Sequence, residues 1–138
     1  MKFRPAIESD AESLASLVNA LGYPSTPSEM TIRLESFPPS HLTFVAEIDG
    51  HVAGFVGLCL LPIYESSMPI GYVLALSVAP AFRQRGVGRF LMEAAEAWLL
   101  QKGIRDVRLS SGFQREAAHS FYERCGYSKT GYRLRKLL

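Results

Sequence analysis

An α/β domain built on a mixed, mostly antiparallel sheet, with helices on both faces, is the fold class this sequence predicts. Three observations carry it. Two helical segments open the chain, and a hairpin signal then joins two runs of strand formers. The run Val73-Leu74-Ala75-Leu76 shows no polar alternation and reads as a strand covered on both faces. From there the pattern alternates strand, helix, strand, helix, strand, which calls for right-handed crossovers and hence parallel pairing. At 138 residues the chain is the size of a single core, and one domain over 1–138 is expected.

Each element has a local reason. Lys2 to Ile7 reads as a short strand. Ser9-Asp10-Ala11-Glu12 has capping-box spacing, and Leu14, Leu17, Val18 and Leu21 then recur at helical intervals until Gly22. A second box, Thr26-Pro27-Ser28-Glu29, carries proline in the first helical position, and its helix must end before Pro38-Pro39. Leu42 to Ile48 and His51 to Ile63 read as strands around the turn Asp49-Gly50. Tyr72 to Val78 is the buried strand. Gly86 to Lys102 is a helix with its apolar stripe at Val87, Leu91, Ala94, Ala95 and Trp98, closed by Gly103. Asp106 to Ser111 is a strand, Glu116 to Cys125 a helix closed by Gly126, and the segment from Tyr127 onward is expected to return as one or two strands.

Composition narrows the function classes. A formal net charge of +2 is too small for a nucleic-acid footprint, although a local basic patch suits an anionic ligand. The two cysteines lie far apart and make no metal spacing, and His41 and His51 lack ligand-spaced companions, so no metal is expected. No run reaches the roughly 18 apolar residues of a membrane span, and no leader-like segment opens the chain. The expectation is a cytoplasmic protein with neither membrane nor nucleic-acid partners.

The segment richest in chemistry runs from Leu76 to Leu91. A buried strand leads through a short basic loop, Arg83-Gln84-Arg85-Gly86-Val87-Gly88, into a long amphipathic helix. The first N–H groups of a helix lack intrahelical partners and sit at its positive end, so such a junction attracts anions. Gly86 and Gly88 let a phosphate approach the backbone, and Arg83, Arg85 and Arg89 add charge. A solvated strand-to-helix turn is the alternative. A nucleotide-hydrolysing P-loop lacks its G-K-[ST], and a dinucleotide fingerprint fails because Leu91 stands where the third glycine belongs.

With Arg83-x-x-Gly86-x-Gly88 behind a strand ending in Val78-Ala79-Pro80, the sequence resembles the GNAT acyltransferase superfamily. The stretch Ala118-His119-Ser120-Phe121-Tyr122-Glu123-Arg124-Cys125-Gly126-Tyr127 is similar to that family's A-x-x-F-Y-E-x-x-G-F helix. The resemblance covers nearly the whole chain. It implies a central parallel pair that splays at a bulge, with acetyl-CoA as co-substrate. The pyrophosphate would rest on the backbone of Gln84, Arg85, Gly86, Val87, Gly88 and Arg89, with Arg83 beside it. The pantetheine arm would pair with Leu76, Ser77 and Val78, and the main-chain N–H near Leu76 would polarise the thioester. Tyr122 matches the family's general acid for the departing thiolate; a packing role is its alternative.

Two departures stand out. Many relatives have asparagine where this chain has Arg115, which still has the reach for a phosphate or the pantetheine. Relatives often place a glutamate on the strand before the loop, and Val73 to Leu76 has no carboxylate. Glu47, Glu65 and Tyr72 are the remaining candidate bases, each glutamate reading first as a solvated surface charge and second as a base. His119 reads first as a structural hydrogen-bonder, Cys125 as a packing residue, and Met30 and Phe37 as either cleft or core. The expected reaction is direct acetyl transfer to an amine of a small molecule or peptide while both substrates are bound. A non-catalytic acetyl-CoA-binding sensor is the rival from another class, and a nucleic-acid module using Arg133-Leu134-Arg135-Lys136 is the third. The few acidic residues around Tyr23 to Phe37 do not favour a polycationic acceptor. Strand-mediated homodimers are common among relatives, which leaves a homodimer open.

Overall fold

Lys2–Pro5 (β1), His41–Ile48 (β2), His51–Leu61 (β3), Ile70–Val78 (β4) and Val107–Leu109 (β5) form one five-stranded sheet in that order. The computed structural model describes residues 1–112 and 115–138. It falls into two compact units, Met1–Arg108 and Leu109–Leu138. The three pairings from β1 to β4 are antiparallel, and β4 with β5 is the parallel pair, reached through the helix Val87–Gln101 (α3). The expected α/β class with a mixed, mostly antiparallel sheet is therefore what forms.

Alternation along β2 distributes its side chains between two cores. Val45 packs with Phe55 and with Leu14, Leu17 and Met30 of Ala11–Ala20 (α1) and Pro27–Ser36 (α2). Its neighbour Phe44 points the other way, stacking on Phe3 at 4.6 Å and meeting Trp98 of α3 at 5.4 Å. The fully buried Leu91 and Leu99 complete this second layer. Removing either side chain to alanine would cost about 2–5 kcal/mol. Helices thus cover both faces.

Several local expectations are met in detail. The Thr26 hydroxyl accepts from Glu29 N–H at 3.1 Å, the Glu29 carboxylate accepts from Thr26 N–H at 3.3 Å, and α2 stops before the two prolines. Asp49 and Gly50 take left-handed φ values of 49° and 79°, the pair a tight hairpin needs.

Three expectations are corrected. The capping box at Ser9 does not form, because Asp10 turns back to Arg4. It accepts from Arg4 Nη1 at 2.8 Å and from Ile7 N–H at 2.8 Å, which produces a 3-10 turn at Glu8–Asp10 before α1. The Arg4 guanidinium holds this carboxyl below the usual range. The run Val73 to Leu76 is not wholly buried: Leu74 is 50% exposed, for the bulge described below. Finally, no strand forms among the described residues after Tyr127. Lys129, Arg133, Arg135 and Lys136 interleave with apolar side chains there, so any strand face would carry charge beside exposed Tyr132 and Leu134.

In the second unit, Glu116–Arg124 (α4) ends at Cys125, and Gly126 follows at φ 94°. No described helix is long and apolar enough to cross a membrane.

Candidate functional site

The first unit brings Leu76, Ser77, Val78 and Arg83 through Arg89 together along the end of β4 and the start of α3. The β3–β4 register pairs Leu58 with Val73 and Gly57 with Ala75, leaving Leu74 as an extra residue. This is a β-bulge, and it re-aims the strand beyond it. Ala79 N–H donates to Ala53 O at 2.8 Å. By antiparallel alternation Ser77 and Ala75 also direct their main chains to β3, whereas Leu76 and Val78 direct theirs to the opposite edge of β4. On the near side of the bulge the phase is reversed, and Gly71 N–H donates outward to Asp106 O at 2.9 Å. Leu76 and Val78 therefore turn their main-chain groups to the edge of β4 away from β3.

The Ser77 side chain is committed elsewhere. Its hydroxyl is buried and donates to Leu17 O at 2.8 Å, tying β4 to α1. With its main chain turned to β3 and its side chain to α1, Ser77 does not face the outer edge of β4 as Leu76 and Val78 do.

The loop then turns through Gln84 at φ 60° and Gly86 at φ 76°, and Gly86 is the N-cap of α3 with no side chain capping the helix. Successive backbone N–H groups in such a turn converge on an anion. Among the described residues, apart from its chain neighbours and the adjoining helix backbone, no atom lies within 4 Å of where a Cβ on Gly86 would stand, so glycine is required there by conformation and not by crowding. The arginines divide their roles. Arg83 Nε lies 3.4 Å from Val78 O, Arg85 stacks over Phe82 at 5.3 Å, and Arg89 pairs with Glu93 at 2.8 Å. The i,i+4 spacing of Arg89 and Glu93 was legible in the sequence; the Phe82 platform was not. An uncapped helix start, a left-handed turn and three exposed arginines fit a pyrophosphate.

Arg115 and Tyr122 lie in the second unit on one helix, with Arg115 the N-cap of α4. The Tyr122 ring meets Phe121 at 5.2 Å and Tyr127 at 6.0 Å, both edge-on. Burial pushes its phenol above the ordinary value of 10.0, the Arg115 charge opposes the shift, and Cys125 adds to it. A raised pKa keeps the proton on this oxygen across the neutral range. His119 Nε2 lies 2.7 Å from Gly112 O, so it ties α4 to the preceding chain as a structural hydrogen-bonder.

The candidate bases fare poorly. Glu47 is held by Arg4 Nε at 2.9 Å on β2, and Glu65 is an exposed loop residue. Met30 is core, whereas Phe37 is 44% exposed. Among the described residues no cluster of three or more His, Cys, Asp or Glu is arranged to hold a metal.

Comparison with known proteins identifies the family. Residues 11–127 match the acetyltransferase (GNAT) family. An aminoglycoside N(6')-acetyltransferase type 1 of Stenotrophomonas maltophilia is 32% identical over 85 residues, covering 59% of this chain and 56% of that enzyme. An uncharacterized N-acetyltransferase of Bacillus subtilis, YhfO, is 32% identical over 143 residues, covering 96% of this chain and 93% of its own. The structure of AAC(6')-Iy in complex with the bisubstrate analog CoA-S-monomethyl-acetylneamine superposes with a TM-score of 0.85 at 22% identity, covering 99% and 97% of the two chains, a likeness of fold. The family match spans both the loop and the α4 motif, and the chain belongs to the GNAT family of acetyltransferases.

Proposed function

We propose that this protein transfers an acetyl group from acetyl-CoA to an amine of a small molecule, with both substrates bound together. The observation that carries this reading is the bulged end of β4, which turns Leu76 and Val78 outward and leads directly into the uncapped start of α3. A backbone ladder for an extended arm thus runs into an anion site, the two features that a CoA thioester requires. The aminoglycoside acetyltransferases among the relatives support a small-molecule amine. The family match over 11–127 crosses both units and supports their working as one domain.

Acetyl-CoA supplies an activated acetyl group as a thioester. The main-chain N–H of Leu76 polarises the carbonyl, and the loop from Gln84 to Arg89 holds the pyrophosphate, with Arg83 and Arg115 as further cations. The amine nitrogen bonds to the carbonyl carbon, the C–S bond breaks, and Tyr122 gives its phenolic proton to the sulfur. The amine must be neutral to attack. With no carboxylate on β4 and Glu47 paired to Arg4, its proton passes to solvent.

The test is thiol release from acetyl-CoA against a panel of aminoglycosides and simple amines, wild type beside Tyr122→Phe. Turnover that falls about 10²-fold or more in the variant supports the acid role. Acetyl-CoA binding without turnover on any amine would sink the transferase reading in favour of a CoA sensor.

A further inference from the structure

A cavity of about 610 Å³ lies at the outer edge of β2, where β1 ends at Pro5 and leaves the first residues of β2 without a neighbouring strand. None of its described lining residues belongs to β4 or to the loop from Arg83 to Arg89. Its volume is in the range of small-molecule sites. The walls are mainly apolar and aromatic, with Phe37, Phe44 and Trp98 prominent, and the rigid Pro38-Pro39 segment closes one side.

The polar groups on these walls share one character. Glu8 enters from the turn before α1 and Glu35 from the last turn of α2, and no lysine or arginine is among the described lining residues. Neither carboxylate has an ion-pair partner among the described residues, unlike Asp10, Glu29 and Glu47 nearby. His41 stacks on Phe37 at 5.2 Å, and its Nδ1 is buried without a hydrogen-bond partner among the described residues. Lys102 Nζ already sits 5.3 Å from the Trp98 ring centre. That ring therefore serves as a wall for an apolar body, and the seat for positive charge is at the carboxylates.

We propose that this cavity binds a small organic cation, its ammonium group between Glu8 and Glu35 and its apolar or aromatic body against Trp98 and Phe37. It is a second amine site, separate from the one where transfer occurs. The proposal concerns binding alone, so it stands or falls apart from the transfer reading.

Trp98 is the single tryptophan of the chain, so its emission reports on this cavity directly. The probes are 2-phenylethylamine, the neutral isostere 2-phenylethanol and the anion 3-phenylpropionate. The expected result is a saturable change in Trp98 emission with the amine, about fivefold tighter than with the alcohol at low salt, and none with the anion. Glu8→Gln and Glu35→Gln, both surface changes, should each weaken the amine about fivefold. Saturating acetyl-CoA should leave its affinity unchanged. Equal affinity for the alcohol, no saturable change, insensitivity to both substitutions, or loss of binding with acetyl-CoA would each overturn the proposal.

Discussion

Tyr122 carries its proton because burial makes the phenolate costly, and that has a sign in pH. A phenol raised above its ordinary value stays protonated while free tyrosine ionises near about pH 10. The alkaline fall in kcat assigned to this group is therefore expected above that point and should vanish in Tyr122→Phe, which a kcat–pH profile would read. The same shift makes the folded state hold a proton the unfolded chain has lost, so this residue's contribution to stability declines as pH rises through the same window. Gly86 is a different case. An alanine there would meet open space yet would have to keep φ 76°, at a cost of about 1–2 kcal/mol. Gly86→Ala should lower Tm modestly and weaken CoA by several-fold in calorimetry. Gly22→Ala, equally left-handed and equally uncrowded, should lower Tm without touching CoA affinity. Much at this scale was legible in the sequence, because loop glycines and the family-matched tyrosine announce themselves. The fate of Ser77, of Asp10 and of Glu47 was not, since each is decided by a partner distant in sequence or by competition for one arginine.

Elements are held at close range where glycine permits it. A Cβ on Gly54 would stand 2.7 Å from Ser77 O and 3.2 Å from both Val87 and Leu91. Backbone cannot swing aside as a side chain can, so Gly54→Ala must displace the end of β4 and the start of α3 together. A loss of about 1–3 kcal/mol and a marked drop in CoA affinity are expected. Gly71→Ala, whose Cβ would press on the Leu99 side chain at 2.6 Å, should cost stability while sparing CoA affinity. Urea melts paired with CoA titrations would separate the two. Helices and hairpin were readable from caps, turn residues and period. The strands expected after Tyr127 do not form among the described residues, where a strand needs a neighbouring edge that local sequence does not supply.

At the scale of the whole molecule, the family match across 11–127 spans the division at Arg108 and predicts cooperative behaviour. Far-UV circular dichroism and Trp98 emission, which senses only the first unit, should give coincident unfolding curves in one transition, moved upward by acetyl-CoA. At a concentration about 100 times its dissociation constant the ligand would add about 2.7 kcal/mol. Two separated transitions would show the units to be independent. The mixed sheet and the crossover through α3 followed from the sequence; the strand order came from the structure. The cavity beside β2 did not, since it is assembled from β1, α2, β2 and α3, and no window of sequence holds all its walls.

The bulge at Leu74 makes the count of residues in β4 as important as their identity. Before it, odd-numbered residues turn their main chains outward; after it, even-numbered ones do. Leu74 itself is half-exposed, so its side chain is free to vary. Its presence is not, because excising one residue would reverse the parity of everything up to Val78 and point the ladder that should greet the ligand back into the sheet. A strand of this kind tolerates drift in spelling but not in length, and its reading frame is set in space by the one residue of β4 that has no partner on β3.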